Sequence, residues 1–71
     1  MRATYDSSAD AAYFYIADDI APGSVAHTHQ CEIENLKGMI HLDFDSEGRL
    51  LGIEVIGAGK CLPREFLRKI G

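Results

Sequence analysis

Asp43-Phe44-Asp45-Ser46-Glu47-Gly48-Arg49-Leu50-Leu51-Gly52-Ile53-Glu54-Val55 admits two incompatible readings, and the choice between them decides the fold. As a ligand pattern it nearly spells a twelve-residue calcium loop. Such a loop takes oxygens from positions one, three, five and twelve, with glycine at six. Asp43, Asp45, Glu47, Glu54 and Gly48 fill those places, with Glu47 where a shorter side chain is usual. As a hydrophobic pattern the stretch is a β-hairpin. Ile40, Leu42 and Phe44 alternate with His41, Asp43 and Asp45; Leu51, Ile53 and Val55 alternate with Gly52 and Glu54. That is period two, the strand signal, not period 3.6. Upstream, Gly38 precedes Met39, and Met39–Phe44 is too short for an independent helix. Asp43 and Glu54 then sit on two separate strands, away from the wrapped geometry of a calcium loop, which leaves Asp43, Asp45 and Glu47 as a loose surface site for a divalent ion at most.

The hairpin also has a register. Directly opposite residues share a face. Pairing Phe44 with Leu51, Leu42 with Ile53 and Ile40 with Val55 gathers six apolar side chains on one side. Ser46–Arg49 is then the loop, with Gly48 free to take positive φ. A slip of one residue would set Glu54 opposite Ile40 on the core face, because it inverts every side chain.

The rest of the chain continues the strand theme. Arg2–Tyr5 reads as a short strand that runs into the turn-forming cluster Asp6-Ser7-Ser8-Ala9-Asp10. Ala11–Ala17 follows, with Ala12, Phe14 and Ile16 on one face and Tyr13 and Tyr15 on the other. Two tyrosines on the second face suggest packing against a subunit or the helix. Asp18–Ser24, with Pro22-Gly23, is a loop. Val25–Ile33 reads as a third strand, with Val25, His27, His29, Cys31 and Ile33 sharing a face. Glu34–Gly38 turns back into the hairpin. Gly57-Ala58-Gly59 ends the sheet, and Pro63 suits the first turn of a closing helix. Glu65 early and Arg68 and Lys69 late complement its dipole. Leu62, Phe66, Leu67 and Ile70 form an apolar stripe at helical spacing. A helix this short needs a surface to dock on. On that reading, Phe66→Ala costs about 3 kcal/mol or more.

The chain has 71 residues, enough for one domain, residues 1–71, and a marginal core. Oligomerisation is a common remedy at this size. Cys31 and Cys61 form no Cys-x-x-Cys pair, and Met1–Asp6 contains no apolar run. These features point to a reducing cytoplasm with both thiols free, and to neither a signal peptide nor a membrane span. Seven basic against eleven acidic residues give a net charge of −4. That balance argues against a nucleic-acid partner, whose affinity comes largely from Lys and Arg on phosphate. Four of the seven basic residues lie within Lys60–Lys69, where a solvated helix face accounts for them.

Two strings carry a family resemblance: Tyr5-Asp6-x-x-Ala9-Asp10-Ala11-x-Tyr13, and Asp43-x-Asp45-x-x-Gly48-Arg49-Leu50-x-Gly52-Ile53-Glu54-Val55. Ala58 and Leu62-Pro63 follow them. Together they resemble the small bacterial proteins of domain-of-unknown-function family 2283. The resemblance implies a compact, β-rich, prokaryotic, cytoplasmic protein of unassigned activity, with no catalytic residues to transfer. It also leaves room for an antitoxin-like role beside a small toxin. The histidine-rich third strand, Phe14 and Tyr15 depart from the family's usual pattern.

That strand holds a constellation with zinc chemistry. His27, His29 and Cys31 point to the same face, successive side chains about 6.5–7 Å apart. Imidazole and thiolate are zinc's preferred ligands. A further ligand would come from a neighbouring strand or another subunit. His41 is a candidate, although the hairpin register turns it to the face opposite Ile40. The bland alternative is that the histidines line a wet edge or a symmetric interface. In the latter, association would depend on pH. Asp6 with Asp10, and Asp43 with Asp45, could serve as acid–base pairs. Both pairs sit at turns, where Asp bonds backbone N–H groups. Gly57-x-Gly59-Lys60 lacks the length and the Ser/Thr of a phosphate loop.

The expected architecture is α+β: an antiparallel β-meander of about five strands with one short C-terminal helix packed on the sheet. The expected role is that of a non-enzymatic, self-associating binding module, a homodimer or higher homo-oligomer with room for a protein partner and needing no cofactor. The alternative is a protein binding a divalent metal through His27, His29 and Cys31, with His41.

Overall fold

The computed structural model describes residues 1–71 and has the α+β architecture. Five strands come first: β1 (Arg2–Asp6), β2 (Ala11–Tyr15), β3 (His27–Gln30), β4 (Met39–Phe44) and β5 (Leu50–Ile56). Two short helices follow, α1 (Ala58–Cys61) and α2 (Arg64–Ile70). Every neighbouring pair of strands is antiparallel, and the sheet order is β1-β2-β5-β4-β3. The meander therefore comes in two pieces, β1–β2 and β3–β4–β5. The link from β2 to β3, which carries Pro22-Gly23, leads across the sheet to its far edge, and β5 returns to lie beside β2.

The deciding hairpin forms, and most of its register follows the hydrophobic alternation. Ile40 pairs with Val55 and Leu42 with Ile53. The third pair is shifted. Phe44 stands opposite Leu50, because the ladder slips between Asp43 and Phe44 and Leu51 is left over as a bulge residue. The physical reason lies on the other side of β5. The Leu51 carbonyl accepts both the Ile16 N–H at 2.9 Å and the Ala17 N–H at 3.0 Å, so the residue left over in the β4 ladder is bonded to the end of β2 instead. At the tip, the Asp45 N–H bonds the Arg49 carbonyl at 2.9 Å, and Gly48 takes φ +81°. This is the turn-plus-bulge geometry of a short hairpin loop, and glycine meets its positive φ without strain.

The third strand is shorter than Val25–Ile33. Only His27–Gln30 pairs with β4, and all four residues are exposed. One bond extends it at each end: Ala26 N–H to the Phe44 carbonyl at 2.9 Å and Cys31 N–H to the Ile40 carbonyl at 2.8 Å. Beyond these β4 offers no partner. Val25 and Ile33 lie outside the strand, 37% and 49% exposed, instead of in the core.

Register assigns the two faces. Tyr5, Ala12, Val55 and Ile40 form one row, and Ala3, Phe14, Ile53 and Leu42 the next. The helices cover this face from the β1 side, where α2 makes its sheet contacts. Ala12, Val55 and Ala58 are the fully buried core, ringed by Tyr5, Phe14, Ile40, Ile53, Cys61, Leu62, Leu67 and Ile70. Phe66 stacks on Phe14 with ring centroids 5.7 Å apart. Phe66 is only half-buried, which reduces the cost of losing it below that of a core aromatic.

The C-terminal segment is two helices, not one. The turn α1 is held by Asp10: its carbonyl accepts the Gly57 and Ala58 N–H groups, each at 2.9 Å, and its Oδ1 accepts the Gly59 N–H at 2.9 Å. Gly57 enters with φ +77°. Pro63 stands just before α2, where its carbonyl receives the Phe66 and Leu67 N–H groups. Glu65 lies in the first turn and Arg68 and Lys69 in the last, as the helix dipole favours.

Candidate functional site

Of four aspartates that could have done acid–base chemistry, three hold backbone N–H groups and the fourth, Asp43, holds side-chain hydroxyls. Asp6 Oδ1 accepts the Ser8 hydroxyl at 2.7 Å and the Ser8 N–H at 3.0 Å, closing the β1–β2 turn. Those bonds, the hydroxyl first, hold its carboxyl below the usual carboxylate range. Asp10 sits at φ +51° and receives the Tyr5 hydroxyl at 2.7 Å. The Tyr5 bond, then the Gly59 N–H, lowers its pKa, and the same bond raises that of Tyr5. Asp45 Oδ1 accepts the Glu47 and Arg49 N–H groups at 2.9 Å each, organising the hairpin tip. Asp43 receives the Tyr13 and Thr28 hydroxyls, each at 2.7 Å.

The Tyr13–Asp43 bond belongs to the face of the sheet away from the helices. There Tyr13 and Tyr15 meet edge to face with centroids 4.8 Å apart, and the Arg2 guanidinium lies 3.8 Å over the Tyr15 ring. The two tyrosines pack on one another and on Arg2 instead of on a helix. Burial, then the bond to Asp43, raises the Tyr13 pKa. His41 stands opposite Glu54, with Nδ1 3.3 Å from the carboxylate. The Tyr13 ring lies across Gly52, where any Cβ would overlap its hydroxyl and two ring carbons. The Tyr13–Asp43 link, thirty positions apart in sequence, is invisible to local pattern reading. Its one signal is a glycine inside a strand, which marks close approach of another group.

The histidine strand is arranged differently. His27 pairs with Phe44 and His29 with Leu42, so both lie on the helix-side face, and Cys31 continues that row opposite Ile40. His41 is on the other face, paired with Gln30 and Glu54. The four residues are not brought together: three share a row on an exposed edge and the fourth is across the sheet. No group of three His, Cys, Asp or Glu side chains in one chain is placed to hold a metal ion. Asp43, Asp45 and Glu47 do not form a calcium loop either. Asp43 and Asp45 accept hydroxyl and N–H hydrogens, and Glu47 reaches Arg49 at 3.3 Å.

One shallow cavity of about 410 Å³ lies between the β1–β2 turn and α2. Tyr5, Ser7, Arg64, Leu67, Arg68 and Gly71 line it. It is the same junction that docks α2. No helix is long and apolar enough to cross a membrane.

An antiparallel sheet covered on part of one face by two short helices, with its turns tied by aspartates, defines a small α+β domain. This chain belongs to the family described as "Protein of unknown function (DUF2283)", which matches residues 2–58. The match takes in all five strands and closes at Ala58, the residue that Asp10 holds. No curated protein and no solved structure matches the chain.

Proposed function

We propose that this protein is a non-enzymatic binding module that acts as a self-associated unit, with the β3–β4 end of its sheet as the contact surface. The observation that carries the reading is the uneven cover of the helix-side face. α2 packs over β1, at one edge, while β3 forms the other. Leu42 and Phe44 share the face with His29 and His27 and stand outside the cluster around Ala12, Val55 and Ala58. Val25 and Ile33 flank the same strand, substantially exposed. With only three hydrophobic residues fully buried, the single chain has a core at the small end for its length. Association that covers this end would remove apolar surface at about 25 cal/mol per Å² before ordering costs. The aspartates support the same reading, since each is tied by hydrogen bonds to a turn or to the sheet.

Sedimentation velocity over a concentration series tests it. The untagged protein should shift from monomer to dimer or higher. Val25→Asp and Ile33→Asp should weaken that shift while leaving the melting temperature of the monomer within a few degrees. A monomer at every concentration would overturn the reading.

A further inference from the structure

β3 is an edge strand, and its ladder shows which backbone groups are free. The Cys31 N–H bonds the Ile40 carbonyl, which fixes the phase of the pairing. In an antiparallel ladder, residues that turn their backbone groups toward the neighbour alternate with residues that turn them away. His27, His29 and Cys31 face β4, so Thr28 and Gln30 direct N–H and C=O outward. No lysine or proline stands in this edge, and its one irregularity, the Ala26 N–H drawn to the carbonyl of the Phe44 that pairs with His27, lies just before β3. Thr28 is anchored to Asp43 on the far face, which keeps the strand extended.

We infer that β3 pairs antiparallel with β3 of a second copy, and that zinc held by His27 and His29 of one copy and Cys31 of the other locks the pair. This rests on the self-association proposed above and names its surface. One register uses every outward group. With Thr28 opposite Gln30 of the second copy, about a two-fold axis normal to the sheet, four main-chain hydrogen bonds form. Within β3, centring the pair on Thr28 makes only two, and any more would need Ala26, which lies outside the strand with its N–H already bonded to the Phe44 carbonyl. Centring it on Gln30 makes fewer because the strand ends there.

That register gathers the donors. His27 falls opposite Cys31 of the second copy as a non-hydrogen-bonded pair, with Cα atoms about 4.5 Å apart. His29 is the next side chain on the same face, about 6.5–7 Å along the strand. Two imidazoles and one thiolate thus meet over one patch, and the two-fold axis makes two such patches. These are zinc's preferred ligands. A single chain cannot assemble three donors, so the site is incomplete without the second copy. The side chains are also available: His41 alone among the histidines has a carboxylate partner, and Cys31 is a free thiol. On binding, the Cys31 thiol proton passes to solvent and the thiolate ligates the metal.

Native mass spectrometry and sedimentation equilibrium on the untagged full chain, with zinc chloride and with chelator, test the inference. The expected result is a dimer carrying two zinc ions that dissociates on chelation. His29→Ala and Cys31→Ser should each weaken the zinc-dependent dimer on the order of tenfold or more. Gln30→Pro removes an outward N–H and should abolish the dimer with an unchanged circular-dichroism spectrum. Cobalt in place of zinc should show a thiolate charge-transfer band that Cys31→Ser removes. A dimer that persists in chelator and ignores these variants overturns the zinc-locked edge and leaves self-association standing. Zinc bound one to one by a monomer overturns it as well. A monomer with and without zinc overturns both.

Discussion

Replacing Gly52 by alanine tests whether the aromatic face of the sheet is as tightly built as it looks. Gly52 does not have positive φ, so alanine suits its backbone. In isolation the exchange should stabilise by about 0.5–1 kcal/mol, through reduced freedom of the unfolded chain. The obstacle is Tyr13. A Cβ on Gly52 would stand 2.6 Å from both Cε2 and Cζ of that ring, well inside van der Waals contact. The ring has to move, and it is fixed by its 2.7 Å bond to Asp43 and its packing on Tyr15. Overpacking costs about 1–3 kcal/mol. A weakened hydrogen bond on this half-buried face adds about 1 kcal/mol. The net loss is about 1–3 kcal/mol, against a total stability of roughly 4–10 kcal/mol for a chain this size. Urea unfolding followed by circular dichroism reads this directly, and the melting temperature should fall on the order of 10 °C. The control is the Tyr13→Ala background, where the space is open. There Gly52→Ala should be neutral or stabilising. If its cost is the same in both backgrounds, the contact between ring and glycine is not what requires glycine here.

Phe66→Ala should cost about 1.5–2.5 kcal/mol in the same assay, less than a core aromatic, because the ring is half-buried and its main partner is Phe14. A loss of 4 kcal/mol or more would mean that α2 is buried more deeply than it stands here. Tyr13 holds its proton more tightly folded than unfolded. Its contribution is therefore complete below about pH 10, the unfolded value, and is lost as the pH climbs through that value toward the folded one. The stability difference between wild type and Tyr13→Phe should shrink over that range, and parallel pH profiles would contradict it. Asp6 and Asp10 are the opposite case, with folded pKa values depressed. Their contribution is present above about pH 4, the unfolded value, and disappears as the pH falls below it through the depressed folded values. Asp10→Asn keeps an acceptor for Gly59 and Tyr5 and should flatten the acid limb of the stability curve more than it lowers the neutral plateau. An acid limb identical to wild type would separate Asp10 from acid unfolding.

The sequence made the strands legible because their period is two and their turns carry Asp, Gly and Pro at the required places. Ile40 against Val55 and Leu42 against Ile53 follow from that alternation alone. The slip at Phe44 does not, since it depends on where β2 delivers the Ile16 and Ala17 N–H groups to Leu51. The β3 ends were over-extended for a similar reason: alternation continues past Gln30, but a strand lasts only as long as its partner. The helical turn at Ala58–Cys61 carries little local signal, two glycines in a run of three, and is held by Asp10, which supplies acceptors from just before the start of the neighbouring strand β2. For the site, local spacing placed His27, His29 and Cys31 on one face and turned His41 away, as the pairing has it. What it could not reveal is that Tyr13, Gly52 and Asp43 form one unit, because the three come from three strands.

The order β1-β2-β5-β4-β3 also sets a sequence of events during folding. β4 and β5 are joined by a short, glycine-assisted turn and close a small loop, at little entropic expense. β2 meets β5 only after the chain has closed a loop from Ala12 to Val55, a long-range contact that is made late in such topologies. The aromatic–aspartate link and the hold of Asp10 on Gly57–Gly59 both span that same closure. We expect substitutions at Gly48 to slow refolding and substitutions at Gly52 to hasten unfolding, so that the two glycines of one hairpin separate into different limbs of a chevron plot.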